Sequence, residues 1–288
     1  MTVRDQVHFW PNGARLALSF VVNVEEGAEY NPLEGDSLSE SVDETGAHLG
    51  KGLRNVTNET NYQYGLREGG PRILRLFEKH GIHATYTAAA LALERAPELT
   101  KGIVAGGHEI CAHGYRWIHQ FRMDPETERK FIRDAADSIQ QSTGTRPVGW
   151  LSRYFCSPHT RRLLAEEGFD YHMDDLSSDQ PFWDAIGKRW MLVLPYAMDT
   201  NDFKLWQEPA ISMEQWKTYA IDTFNWLHYE GKQMPRMMSI GLHQRIIGRP
   251  GRIPHLEAVI RHARKFPDVW IATRKDIADW WREKRPPV

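Results

Sequence analysis

The sequence predicts a (β/α) barrel, closed or nearly closed, and three observations predict it. Short apolar runs alternate with helical patterns along most of the chain, which implies a largely parallel sheet. Chemically capable polar residues follow one apolar run after another, and in parallel sheets and barrels the C-terminal strand ends face the substrate. The length of 288 residues exceeds an ordinary domain yet suits one α/β barrel, so a single domain over 1–288 is expected.

The first strand is the β-branched and aromatic run from Ala17 to Val24, closed by Glu25-Glu26 and by Gly27, where the backbone can turn sharply. Residues 29–64 are rich in Gly, Ser, Asn, Asp and Glu without a sustained apolar period. They read as a long loop insertion, either disordered or covering a site or subunit contact. Pro71 to His80 has helical spacing, with Pro71 at a first helical position and Gly81 as the stop. His83 to Ala88 is strand-like, Leu91 to Ala105 helical with an interruption at Pro97, and Glu109 to Ala112 a short strand. Pro125 to Ser142 reads as a charged surface helix, and Pro147 to Leu151 begins another strand. Arg161 to Glu167 is helical, capped at Gly168, before a strand at Asp170 to Met173 that ends in Asp174-Asp175. Further strands fall at Met191 to Tyr196, Met237 to Leu242 and Val269 to Ala272; helices fall at Met213 to Tyr229, Pro254 to Lys265 and from Arg274.

Composition narrows the function classes. The 36 basic and 38 acidic residues nearly cancel, so neither a nucleic-acid partner nor a strongly acidic surface is indicated. Met1 to Gly13 has no apolar signal core, and no later apolar run reaches the roughly 18 residues of a membrane span; a cytoplasmic protein without membrane association is expected. Two cysteines, Cys111 and Cys156, are too few for a disulfide framework and lack zinc-ribbon spacing.

Five strand ends carry useful side chains: Glu25-Glu26, His113, Trp150 to Arg153, Asp174-Asp175 and His243. One such group alone is most often a hydrogen-bonded structural residue, but five in succession need a shared explanation. Their order resembles the polysaccharide deacetylase family, the NodB-homology or carbohydrate esterase 4 group. Glu25-Glu26-Gly27 stands where that family has Asp-Asp-Gly, Gly107 to His113 resembles its histidine motif, and Arg146 to Gly149, Asp174-Asp175 and Leu242-His243 follow in order. The resemblance implies a deformed (β/α) barrel of the polysaccharide deacetylase (NodB) type, and hydrolysis of amide carbon–nitrogen bonds. Asn23 to Gly27, His113 to Ile118, Arg146 to Trp150, Pro195 to Asp202 and Ser239 to His243 with Gly248-Arg249-Pro250 resemble more closely the metal-independent, allantoinase-type branch. That branch implies ring-opening of a cyclic amide, imide or ureide such as allantoin, by a homo-oligomer, possibly a tetramer.

Two departures matter. The family's second metal histidine normally follows the first by four residues, and here that place is held by Trp117, the next histidine being His119. No cofactor is therefore the leading expectation, and zinc or another divalent metal on Glu26, His113 and His119 is the alternative. Secondly, Leu151 to His159 is bulkier and more aromatic than the small glycine-containing turn of that branch, so an apolar or aromatic cyclic substrate is as well suited as allantoin. The resemblance gives Glu25 the part of general base, and His243, a titratable ring ending an apolar strand, is the candidate acid. Glu26 and His113 are expected to bind substrate, water or a metal. Arg153 and Arg249 are candidates for polarising a carbonyl or holding a carboxylate, and Trp117, Tyr154 and Phe155 for lining a pocket around a small-molecule substrate. The runners-up are a metal-dependent deacetylase of N-acetylated sugars and a non-catalytic barrel that binds a small molecule.

Overall fold

The computed structural model describes residues 9–42, 44, 46–206 and 210–287, so much of the N-terminal stretch Met1 to Gly13 lies outside the described residues. Nine strands form one curled sheet: β1 (Leu16–Val24), β2 (Thr85–Ala88), β3 (Glu109–Ala112), β4 (Gly149–Trp150), β5 (Tyr171–His172), β6 (Phe182–Ile186), β7 (Arg189–Val193), β8 (Arg236–His243) and β9 (Val269–Ile271). Their spatial order is β6-β7-β5-β4-β3-β2-β1-β8, with β9 also paired to β1. Every pairing is parallel except the β6–β7 hairpin.

β1 is the axis of this arrangement. β8 follows it from Leu16 to Asn23, while its other edge is divided between β9 at Leu16–Leu18 and β2 at Val21–Val24. Its two-residue period sorts two cores: Leu16, Leu18, Phe20, Val22 and Val24 pack under the outer helices, whereas Ala17 and Val21 belong to the barrel interior. The interior face continues through Ser19 and Asn23 to Glu25, so the alternation that builds the core also aims the carboxylate. At the opposite end Trp10 and Trp281 close the interior. The guanidinium of Arg274, from the helix Arg274–Lys284, reaches into the interior and donates to the carbonyls of Leu194 and Pro195 and to Ser239.

The sheet forms the expected deformed barrel without closing fully. Between the β6 edge and β8 a parallel bridge joins Asn201 to Gly241, and the Met237 N–H donates to the Asp179 carbonyl at 2.8 Å. Strands and helices otherwise fall within a few residues of the sequence expectations, including the break at Pro97 between Ala90–Arg95 and Pro97–Ala105. β6 was not expected: it is a half-exposed edge with no inside–outside alternation to reveal it. No helix among the described residues is long and apolar enough to cross a membrane.

The expected loop over 29–64 needs correction. Its last nine residues, Val56–Tyr64, are helical and run through a π-turn, Gly65–Gly69, into the helix Gly70–Lys79. Only Asn58 and Tyr62 of the first helix are buried, which is why no apolar period marks it. Pro71 cannot supply the N–H that a regular turn would send back to Arg67, and the Gly70 N–H instead reaches the Gly65 carbonyl. The preceding segment is fastened to the barrel rather than loose: Arg116 pairs with Asp36, and Arg153 with Glu40.

The glycines of the π-turn are required by close approach. A Cβ on Gly65 would lie 2.6 Å from the Glu26 carboxylate, and one on Gly69 would overlap the Gln244 carbonyl. Gly69→Ala is expected to lower stability by about 1–3 kcal/mol, the usual cost of overpacking, measured by urea denaturation. A wild-type midpoint in that variant would show that the turn yields freely.

Candidate active site

The interior strand ends converge on a cavity of about 750 Å3, lined among others by Asn23, Glu25, His113, Trp117, Arg153, Tyr154, Asp174, Tyr196, Asn201 and His243. Glu25 sits on its floor, 2 % exposed. One carboxylate oxygen lies 3.4 Å from His243 Nε2 and 3.6 Å from His113 Nε2; the other accepts from Arg245 Nη1 at 2.7 Å. Burial acts to raise the Glu25 pKa, but the charges of His243 and Arg245 outweigh it and hold the group well below the usual carboxylate range.

His243 is oriented by Asp202, whose carboxylate accepts from the ring Nδ1 at 2.7 Å and from the His243 backbone N–H at 2.8 Å. Nε2 is therefore the atom presented to Glu25. Burial disfavours the imidazolium, yet Glu25 and Asp202 overcome that and push the pKa up to about 9. The two shifts favour a carboxylate beside an imidazolium at neutral pH, an arrangement capable of taking and giving a proton.

His113 has a different part. Its Nδ1 meets the Leu151 carbonyl at 2.7 Å and its Nε2 meets the Trp117 indole N–H at 3.1 Å. A carbonyl only accepts and an indole N–H only donates, so Nδ1 bears the hydrogen and the Nε2 lone pair is occupied by Trp117. The 3.6 Å approach to Glu25 is then a contact rather than a hydrogen bond.

The three residues expected to hold a metal do not fit one. Tryptophan takes the lone pair of His113 that a metal would need. Glu26 is fully buried and absent from the cavity lining: its oxygens accept from the backbone N–H groups of Glu25 and Arg245, with Arg245 Nη1 at 3.4 Å. Burial raises its pKa, the repulsion of Glu25 adds to that, and Arg245 opposes both. His119 lies among the rings of Tyr30, Phe121 and Tyr154, where burial and the charge of Arg153 lower its pKa. Among the described residues no group of three or more His, Cys, Asp or Glu side chains has the disposition of a metal site.

Other expectations also need correction. Arg249 is outside the cavity, bonded to Asn61 at 2.7 Å and stacked on Tyr64; the loop turns its side chain away from the strand ends. Arg153 does line the cavity, but both terminal nitrogens grip Glu40 at 2.8 Å and its plane lies 3.7 Å from the centre of the Trp117 ring. It fastens the 30–55 segment beside the site and has no fork left for a substrate carboxylate. Tyr154, held at a positive φ of 57°, and Phe155 stand at the mouth. Asp174 supports the turn between them and β4, accepting from the Ser152 N–H and hydroxyl at 2.7 and 2.6 Å.

Sequence reasoning missed Arg245, Asp202, Asn23 and Tyr196 as members of the site. Asp202 and Tyr196 lay within the Pro195 to Asp202 string without a role. Arg245 follows His243 by two residues, a spacing that carries no signal until the short helix Gln244–Ile247 folds it beneath Glu25.

Comparison with known proteins agrees with this geometry. The polysaccharide deacetylase family model matches residues 58–171. A polysaccharide-deacetylase-type protein of Schizosaccharomyces pombe is 33 % identical over 96 % of this chain and 93 % of its own. The chain belongs to the polysaccharide deacetylase family. It is thereby placed among enzymes that hydrolyse carbon–nitrogen bonds. A family structure from Pseudomonas aeruginosa PAO1 is 43 % identical with a TM-score of 0.93, covering 97 % of this chain and 95 % of that one. The structure of the PuuE allantoinase is 40 % identical, also at a TM-score of 0.93, with full coverage of both chains.

Among the described residues Arg245 is the only cation bonded to Glu25 that cannot lose its charge, and it is itself fully buried. Arg245→Met is expected to destabilise the fold by about 3–5 kcal/mol, the usual cost of stranding a buried partner, and to shift the acid limb of the activity profile upward as Glu25 loses its neighbouring charge. Thermal melts and the pH dependence of kcat/KM check both; an unmoved acid limb would remove Arg245 from the control of Glu25.

Proposed function

We propose that this protein opens the ring of a cyclic amide, imide or ureide by hydrolysing its carbon–nitrogen bond, with side chains alone supplying base and acid. The observation that carries the reading is Glu25 facing the Asp202-oriented His243 Nε2 at 3.4 Å, beside a His113 whose Nε2 lone pair is capped by Trp117. The full-length likeness to an allantoinase supports it.

In this scheme Glu25 draws a proton from water as its oxygen adds to the carbonyl carbon. His243 then gives its Nε2 proton to the departing ring nitrogen as the C–N bond breaks. Glu25 passes the captured proton back to His243 across their short separation, which resets both groups. Removing either residue is expected to lower kcat by about 10²–10⁴-fold, the usual worth of a positioned acid or base. Because His243 acts in its protonated form, kcat/KM should fall as pH rises through about 9. A rate that climbs steadily through that range would exclude His243 as the acid.

The mouth bears on the substrate. Tyr154 and Phe155 from one turn, with Leu176 and Met198 from two other loops, are each at least half exposed and all line the same cavity. Convergent exposed apolar side chains around a few polar groups mark a ligand site, and they suit a ring bearing an apolar substituent better than one bearing a polar arm. A screen over allantoin, succinimide, dihydrouracil, a benzyl-substituted hydantoin and chitooligosaccharides should show ring opening, with the benzyl compound favoured about tenfold over allantoin. Turnover of the sugars alone would move the protein to the deacetylase reading, and no turnover at all to a binding barrel. Protein purified without added metal should contain no stoichiometric metal by mass spectrometry and should keep its rate in EDTA; loss of activity restored by zinc would refute the side-chain mechanism.

A further inference from the structure

Hydrolysis of an amide needs a donor for the carbonyl oxygen as it becomes an oxyanion, and the residues named so far do not supply one. Arg153 is engaged by Glu40 and by the Trp117 carbonyl, Trp117 gives its N–H to His113, and the Ser152 hydroxyl is held by Asp174. Arg161 is divided between Asp184, Asp175 and the Asp174 carbonyl.

Tyr196 is different. Its phenol oxygen receives the Asn23 Nδ2 group at 3.0 Å and Asn201 Nδ2 at 3.4 Å. Both amide orientations are fixed independently. Asn23 Nδ2 also faces the Leu242 carbonyl, which can only accept, and Asn201 Oδ1 takes the Phe203 N–H. Two N–H groups thus point at the phenol oxygen, and among the described residues no acceptor takes its O–H. The tyrosine lines the cavity beside Asn23, Asn201 and His243, so the open direction for that hydrogen is the cavity itself. Burial raises the phenol pKa well above its ordinary value, so the hydrogen is retained. The fold makes room for this arrangement: a Cβ on Gly241 of β8 would lie 2.6 Å from both the Tyr196 hydroxyl and Asn201 Nδ2.

Resting on the ring-opening function above, we infer that Tyr196 is a catalytic residue whose hydroxyl hydrogen-bonds the scissile carbonyl and stabilises its oxyanion, polarised by the amides of Asn23 and Asn201. Two donors at the phenol oxygen strengthen its own donation. The hydroxyl thereby does the electrophilic work for which the sequence had offered Arg153 and Arg249.

Tyr196→Phe tests this directly, on whichever probe of the screen the wild-type protein hydrolyses. The expected result is a fall in kcat of about 10²–10³-fold, typical of losing one oxyanion donor, with KM changed far less and an unchanged thermal midpoint. Gly241→Ala, which displaces the hydroxyl while keeping it, should lower kcat as well, and the double variant should be no slower than Tyr196→Phe. Titration of the wild type and Tyr196→Phe with succinimide, followed by calorimetry, supplies a readout independent of turnover; weaker binding by the variant is expected. A Tyr196→Phe enzyme within threefold of wild type in kcat overturns the inference while leaving ring opening intact. Should no probe be hydrolysed, equal succinimide affinity of the two proteins overturns it as well, and that failure of turnover counts separately against the ring-opening function.

Discussion

The charge of Arg245 beneath Glu25 is the constraint on which the rest of the site depends. Two adjacent carboxylates carried into a barrel floor repel one another and lose hydration, and both effects drive them toward the protonated state. A single guanidinium touching Glu25 at 2.7 Å and Glu26 at 3.4 Å offsets this, and it does so unequally. Glu25 also has His243 beside it and stays well below the ordinary range, whereas Glu26 is raised. The pair therefore splits into one carboxylate fit to act as a base and one that anchors the turn.

Holding a guanidinium there makes demands on distant parts of the chain. Among the described residues Arg245 Nε and Nη2 have no hydrogen-bond partner, and the cation lies over the rings of Tyr62, Trp117 and Trp206 at 4.3, 5.3 and 5.7 Å. Attraction to the ring faces replaces part of the lost solvation. Tyr62 lies on the helix that runs directly into the π-turn, whose glycines pack against Glu26 and Gln244. The stretch that read as featureless loop is consequently part of the electrostatic support of the base.

What was legible in the sequence follows from range. β1, β3 and β8, with Glu25, His113 and His243 at or just beyond their ends, could be placed because two-residue and helical periods are local and strand ends share a common direction. Arg249, Glu26 and His119 were misplaced because a loop's side-chain direction is set by neighbours far along the chain: Asn61, Arg245 and the ring cluster around Tyr30. Asp202 and Arg245 escaped notice for the converse reason, since their partners are 41 and 220 residues away and no spacing announces them. The departure at Trp117 was visible as a missing histidine, but only the hydrogen bond to His113 shows what the substitution does.

Trp117 and Arg245 together explain how one barrel can keep a hydrolytic geometry with a different electrostatic basis. In a metal-centred arrangement a histidine lone pair and a carboxylate converge on a cation that both fixes water and draws charge from the carbonyl. Here the lone pair is capped by an indole N–H and Glu26 is turned to Arg245, a cation bonded into the floor instead of exposed to substrate. Such a cation can tune the base but cannot reach a carbonyl oxygen in the cavity. In the proposed reaction electrophilic assistance comes from a neutral donor, and the Asn23–Tyr196–Asn201 group lines the same cavity, packed against β8 at Gly241 and joined to the barrel interior through Arg274 and the Pro195 carbonyl. The proposed base, acid and donor thus lie at the end of β1, at the end of β8 and in the segment after β7, which the parallel register brings side by side.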